Sequence, residues 1–201
     1  MKTFSSNFRH MSLLVFVYLL TVQTGQSQVV DKVSDEAELE NAIGEIFWHV
    51  KAFKPNAELL RIKAIDKKGK MHDVKAIQYS EDTSVLDVKA LIDGRRVAIK
   101  LLVKSGDRYY PLKGIMADGT IVDIKAITSD GEILPVKGVS RSGNIVHIRA
   151  ITEFEQFYNV IAVSPDGKMN DVKGIKMTQE EVETIINGVP IFAHVKSLSP
   201  N

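Results

Sequence analysis

Along most of the chain an aliphatic residue, a basic residue, a small residue and a second aliphatic residue recur in fixed order. The pattern reads HVKAF at 49–53, RIKAI at 61–65, DVKAI at 73–77, DVKAL at 87–91, AIKLL at 98–102 and PLKGI at 111–115. It continues as DIKAI at 123–127, PVKGV at 135–139, HIRAI at 147–151, NVIAV at 159–163, DVKGI at 171–175 and HVKSL at 194–198. Most of these 12 copies are 12 residues apart. Each is too short and too rich in β-branched residues for a helix and reads as a strand. Between copies stand turn signals such as KKG at 67–69, DG at 93–94, ADG at 117–119, SDG at 129–131 and PDG at 165–167. Glycine there accepts a positive φ that costs other residues about 1–2 kcal/mol. A strand and a tight turn in every 12 residues leave no room for parallel crossovers. The pattern therefore predicts an all-β fold, an antiparallel meander of about twelve short strands. Twist and the need to hide strand edges would roll it or close it into a barrel.

Two stretches break the period and read as helices. Ser34 can cap a helix over about 34–47 with acids in its first turn. Thr178 and Glu181 have the spacing of a capping box, and Asn187-Gly188 reads as a helix stop, which predicts a short helix over 179–186.

Numbered from the basic residue as position 0, positions −3, −1 and +1 form an apolar face. Positions −4, −2, 0 and +2 form a second face with an Asp/Lys midline between apolar margins. If the Gly-terminated triplets are three-residue loops, Asp73 lies opposite Lys63, Asp123 opposite Lys137, Ile124 opposite Val136, Ala126 opposite Leu134 and Ile127 opposite Ile133. Backbone bonds alternate sides along a strand, so equal loops at both of its ends are expected to conflict, and bulges or alternating loop types are expected. Pro111 and Pro135 lack an N–H, which predicts bulges or unpaired sides at those positions.

The start of the chain changes the picture. Lys2 and Arg9 precede an apolar run over 11–22, and the small and polar residues TGQSQ follow at 24–28. These are the three regions of a secretory signal peptide, with cleavage expected after Ser27. The run is too short for a transmembrane helix, so the mature chain is not read as an integral membrane protein. The expected organisation is a signal peptide at 1–27, an N-terminal helical segment at 28–48, and a β-repeat domain at 49–201 with a helical insertion at 178–188. Cleavage would leave 24 basic and 25 acidic residues, net −1. That balance argues against nucleic acid as a partner. The chain has no Cys, so an exported form has no disulfide, thiolate metal site or Cys nucleophile.

The most repeated polar feature is the basic position. Lysine stems lying over aliphatic neighbours explain it without any ligand. The functional alternative is a stripe of Lys63, Lys75, Lys89, Lys113, Lys125, Lys137, Arg149 and Lys173 that binds an anionic partner. His49, His147 and His194 share position −2 and read as sheet-surface residues, because a metal needs three or four convergent ligands. Glu180, Glu181 and Glu183 read as an acidic helix start. No nucleophile elbow, phosphate loop, HExxH or dinucleotide fingerprint occurs, so neither a catalytic residue nor a metal or other cofactor is assigned.

The VKAI and VKGI strands with xDG turns, after a signal peptide, resemble uncharacterised exported bacterial β-repeat proteins whose domain has no known function. The resemblance covers 49–198 and implies no active site. The turn spacing is loosely similar to MORN-type repeats, but their aromatic-and-glycine signature is missing. The resulting expectation is an exported, non-catalytic protein, periplasmic or secreted. Its role would be binding or structural, and its partner a protein or an extracellular polymer. An enzyme or small-ligand carrier using a barrel lumen, and an anionic-polymer module using the lysine stripe, are the alternatives.

Overall fold

A computed structural model describes residues 44–200. The strands are β1 (Ile46–Phe53), β2 (Leu60–Ile65), β3 (Met71–Gln78), β4 (Val85–Ile92), β5 (Arg95–Leu102), β6 (Tyr110–Ile115) and β7 (Ile121–Ile127). They continue as β8 (Ile133–Ser142), β9 (Ile145–Ile151), β10 (Phe157–Val163), β11 (Met169–Ile175), β12 (Thr184–Ile186) and β13 (Val189–Leu198). All belong to one antiparallel sheet that closes on itself, so the expected all-β fold is present. Each of β1 to β11 carries one copy of the repeat and β13 carries the twelfth. No helix occurs among the described residues.

Three-residue loops connect many of the hairpins. In one, Asp66 N–H donates to Lys70 O and Gly69 N–H to Asp66 O; the same pair of bonds closes 116–120, 128–132, 152–156 and 164–168. Thr120 closes the loop from β7 toward β6, and Thr128 closes the one toward β8. These residues are an even number of positions apart, so their backbone groups point to the same side of β7. Both sequence neighbours therefore share one long side of the strand, each pairing with half of it, while β2 takes the whole opposite side. The expected conflict between equal loops does not arise.

This half-and-half pairing organises the whole sheet. Four trios of mutually paired strands form: β1, β2 and β3; β4, β5 and β13; β6, β7 and β8; β9, β10 and β11. Every two trios are joined by one ladder, namely β1–β10, β2–β7, β3–β4, β5–β6, β8–β9 and β11–β13. Four groups, each tied once to the other three, have the connectivity of a tetrahedron. Every repeat strand is paired on both sides, so among the described residues only the three-residue β12 presents an open edge to another chain.

The register obeys two rules. Within a trio, position 0 of each strand lies opposite position −2 of the next, as in Lys63↔Asp73, Lys113↔Asp123 and Lys196↔Asp87. Between trios, position 0 meets position 0, as in Lys63↔Lys125, Lys75↔Lys89 and Lys173↔Lys196. The expected pairs Lys63–Asp73, Ala126–Leu134 and Ile127–Ile133 are present. Asp123–Lys137 and Ile124–Val136 are not. Strand β8 leaves β7 after Lys125↔Pro135, so Asp123 faces Lys113, Ile124 faces Ala64 and Val136 faces Ala150. Pro111 and Pro135 each lie one residue outside a ladder between trios, which begins at Leu112 or Val136. The missing N–H thus falls on an unpaired side.

The apolar face is the interior. The twelve −1 residues, Val50 to Val195, are 2–5% exposed, and the Ala residues at +1 are fully buried. Leu101 fills one +1 site where ten copies have Ala or Gly. Its methyls reach Gly138 and Gly174, where an added Cβ would collide with them.

Both helix expectations need correction. Residues 46–48 belong to β1, and the rest of the segment expected at 28–48 lies outside the described residues except Gly44 and Glu45, which are not helical. Residues 184–186 are β12, paired with Val189–Ile191 of β13. Asn187 and Gly188 have φ of 48° and 79°, which is the two-residue hairpin turn that Asn-Gly favours. Pairing with β13 satisfies the backbone of 184–186. The insertion is a hairpin arm, and the sheet has thirteen strands because of it.

Candidate functional site

With the interior filled by aliphatic side chains, the chemistry is on the outside. Each trio gathers its three position-0 side chains and its three position −2 side chains on one outward patch. The first trio holds Lys51, Lys63 and Lys75 with His49, Arg61 and Asp73. The second holds Lys89, Lys100 and Lys196 with Asp87, Ala98 and His194. The third holds Lys113, Lys125 and Lys137 with Pro111, Asp123 and Pro135. The fourth holds Arg149, Ile161 and Lys173 with His147, Asn159 and Asp171.

The eight basic residues expected to form a stripe are therefore divided. Lys63 and Lys75 lie on the first trio, Lys89 on the second, Lys113, Lys125 and Lys137 on the third, and Arg149 and Lys173 on the fourth. Several are tied to carboxylates: Lys63 to Asp73, Lys113 to Asp123, Lys89 to Asp87 at 3.6 Å and Lys173 to Asp171 at 3.1 Å. Arg149 donates to Asn159 Oδ1. The Lys113 hydrogen bond is the main influence holding the Asp123 carboxyl below its ordinary range, and the charges of Lys113, Lys125 and Lys137 add to it. His49, His147 and His194 lie on three different trios, so they do not converge.

The first trio carries the largest excess of charge. Lys51, Arg61, Lys63 and Lys75 face a single carboxylate, Asp73. Burial first, then the nearby charges of Lys63 and Arg61, push the Lys51 ammonium below its ordinary range. Like charges held this close are destabilising by themselves, and an anion seated among them would relieve the repulsion.

The second trio holds a different arrangement. The Lys100 ammonium donates to His194 Nδ1. His194 Nε2 lies 3.6 Å from Glu183 Oε1, and the Glu183 side chain is only 4% exposed. Oε1 accepts the Met177 N–H at 2.8 Å, while Oε2 has no partner. Burial, followed by the charges of Lys89 and Lys196, pushes Lys100 down to about 8. Burial and the Lys100 charge also push His194 down. Lys196 is bound to Asp87, which also accepts from the Tyr79 hydroxyl at 3.3 Å.

Sequence reasoning passed over these residues for identifiable reasons. Lys51, Lys100 and Lys196 occupy position 0, yet nothing local separates them from the other copies. Glu183 read as a solvated helix start and is instead buried beside His194, because 184–186 is a strand.

Two clefts open on the outer surface. One, of about 780 Å³, is lined by Trp48, Gln78, Asp82, Ser164 and Asn170 among others; the second, of about 590 Å³, includes His147 and Lys173. Residues 44–198 match the Family of unknown function (DUF7486). No curated protein and no solved structure matches the chain.

Proposed function

We propose, from the premise that this chain belongs to the DUF7486 family of unknown function, that it is an exported, non-catalytic binding protein of bacterial β-repeat type. It works at the cell envelope or outside the cell and holds an anionic polymer against its first trio. The observation that carries this reading is the patch of Lys51, Arg61, Lys63 and Lys75 around the single carboxylate of Asp73. Export rests on the signal-peptide pattern of residues 1–27, which lie outside the described residues. The filled interior counts against a carrier that uses a lumen.

Two measurements on the full chain test it. N-terminal sequencing of protein from the exported fraction should start at Gln28. On immobilised heparin, the triple variant K51Q/R61Q/K75Q should elute at lower salt than wild type, while K113Q/K125Q/K137Q on the third trio shifts less. Each lost phosphate-like or sulfate contact lowers the salt dependence of binding in the way counterion release prescribes. Equal elution of the first-trio variant and wild type overturns the assignment to that patch. A cytoplasmic, unprocessed protein overturns export.

A further inference from the structure

The second trio has a use that the polymer-binding patch does not absorb. We propose that Lys100 is a reactive amine that captures a small anionic carbonyl compound, a 2-oxo acid or an acidic aldehyde, as an imine on its Nζ. Three features of the site carry this. The amine is held by an acceptor, His194 Nδ1, rather than by a carboxylate. The far side of that imidazole faces Glu183 Oε1 at 3.6 Å, a side chain only 4% exposed whose Oε2 is unpartnered. A buried carboxylate beside Nε2 favours the tautomer that carries its proton there and leaves Nδ1 as a base toward Lys100. The surroundings also supply cations for the acid group of the ligand: Lys89 on β4, Lys196 on β13 and Lys113 opposite Lys100 across the β5–β6 ladder. Asp87 pairs with both Lys196 and Lys89, and Asp123 pairs with Lys113, so the three cations exceed their two carboxylates by one charge. His194 is 27% and Lys196 35% exposed, so the patch is reached from solvent.

The step balances without a redox partner. The neutral Lys100 nitrogen adds to the carbonyl carbon, and the C=O electron pair moves to oxygen, which takes a proton. The nitrogen loses its protons, one through His194, as C=N forms and the oxygen leaves as water. The reaction is reversible and holds the ligand without turning it over. An amine pushed down to about 8 has roughly a 300-fold larger neutral fraction near neutral pH than an ordinary lysine. The charges that set its titration, besides burial, are Lys89, Lys196, Asp87 and Glu183; His194 and Lys113 also face it.

The experiment treats the full chain with pyruvate and cyanoborohydride, which fixes the imine as a secondary amine, and maps labelled lysines by peptide mass spectrometry. Lys100 should label at least tenfold faster than Lys63 or Lys125, with a rate that rises through pH 8, and acetaldehyde should show less preference for it. His194→Ala should slow labelling at Lys100 and leave other lysines unchanged. Labelling of Lys100 no faster than of Lys63 and Lys125 in wild type overturns the proposal, whatever the variant does. So does equal selectivity for pyruvate and acetaldehyde, which would remove the anionic class. Heparin retention reads a different trio, so either proposal can fail alone.

Discussion

Ser197 occupies the +1 position of the twelfth copy, where ten other copies have Ala or Gly. It is fully buried, and its hydroxyl has no hydrogen-bond partner. A buried hydroxyl left unsatisfied costs about 1–3 kcal/mol. Ser197→Ala removes that group without opening much space, so the variant should be more stable than wild type by about 1 kcal/mol in urea unfolding. A loss of stability would mean that the hydroxyl has a partner. The same scale shows what a local pattern conceals. Lys100, Lys63 and Lys125 are equivalent in the repeat, but Lys63 faces Asp73 and Lys100 faces His194. Position 0 was legible; the difference between a neutralised cation and a candidate amine was not, because it depends on which copy supplies position −2.

At the scale of the element, each repeat strand divides one side between two neighbours of its trio and gives the other side to a strand of another trio. The repeat requires this to work at +1, where small residues from different strands are packed together. Leu101 breaks the rule and is accommodated by glycines on β8 and β11. A Cβ on Gly174 would overlap Leu101 Cδ1 and lie 3.0 Å from Val146 Cβ. Gly174→Ala should therefore cost about 1–3 kcal/mol by overpacking, and Leu101→Ala about 2–5 kcal/mol by leaving a cavity. The double variant should cost clearly less than the two combined, because the truncated Leu101 vacates the space that the new methyl needs. Strict additivity in chemical denaturation would refute the coupling. The hairpin at 184–189 teaches a related lesson. Capping residues and Asn-Gly permit a helix end or a tight turn equally, and the stretch of β13 over 189–191, which lies beyond its ladder with β11, decided between them.

For the molecule as a whole, the pairing rules set like charge against like charge between trios, and within three of the trios they set one lysine opposite an aspartate. Five of the six ladders between trios oppose two basic residues, and the sixth opposes Lys51 to Ile161. The carboxylates within trios offset this. Burial works to raise Asp73 and Asp87, but the hydrogen bonds from Lys63 and Lys196, with the nearby charges, outweigh it and hold both below 3.8. Asp123 is held below it chiefly by Lys113. A depressed folded-state pKa contributes stability that is complete above the unfolded value and lost as pH falls through the folded one. The urea midpoint should thus stay level from pH 7 to about 5 and decline below about 4, with a smaller decline in Asp123→Asn. A midpoint unchanged down to about pH 3 would exclude the carboxylates as the counterweight.

The sequence alone determined the twelve repeat strands, the two faces and the position of the glycines in the turns, because each depends on neighbours within a few residues. Period-2 burial, β-branching and positive φ are local physics. It also implied closure, since a dozen short strands with apolar margins cannot lie flat and open. Only the tertiary structure decided how they close. Whether successive hairpins lie on the same or opposite sides of a strand depends on how the apolar −3, −1 and +1 positions of distant copies pack, and same-side pairing is what generates four trios rather than a single file of strands. That choice carried the candidate site with it. It dispersed the expected basic stripe, gathered Lys51, Arg61, Lys63 and Lys75, and brought Lys100, His194 and Glu183 together from segments separated by about ninety residues.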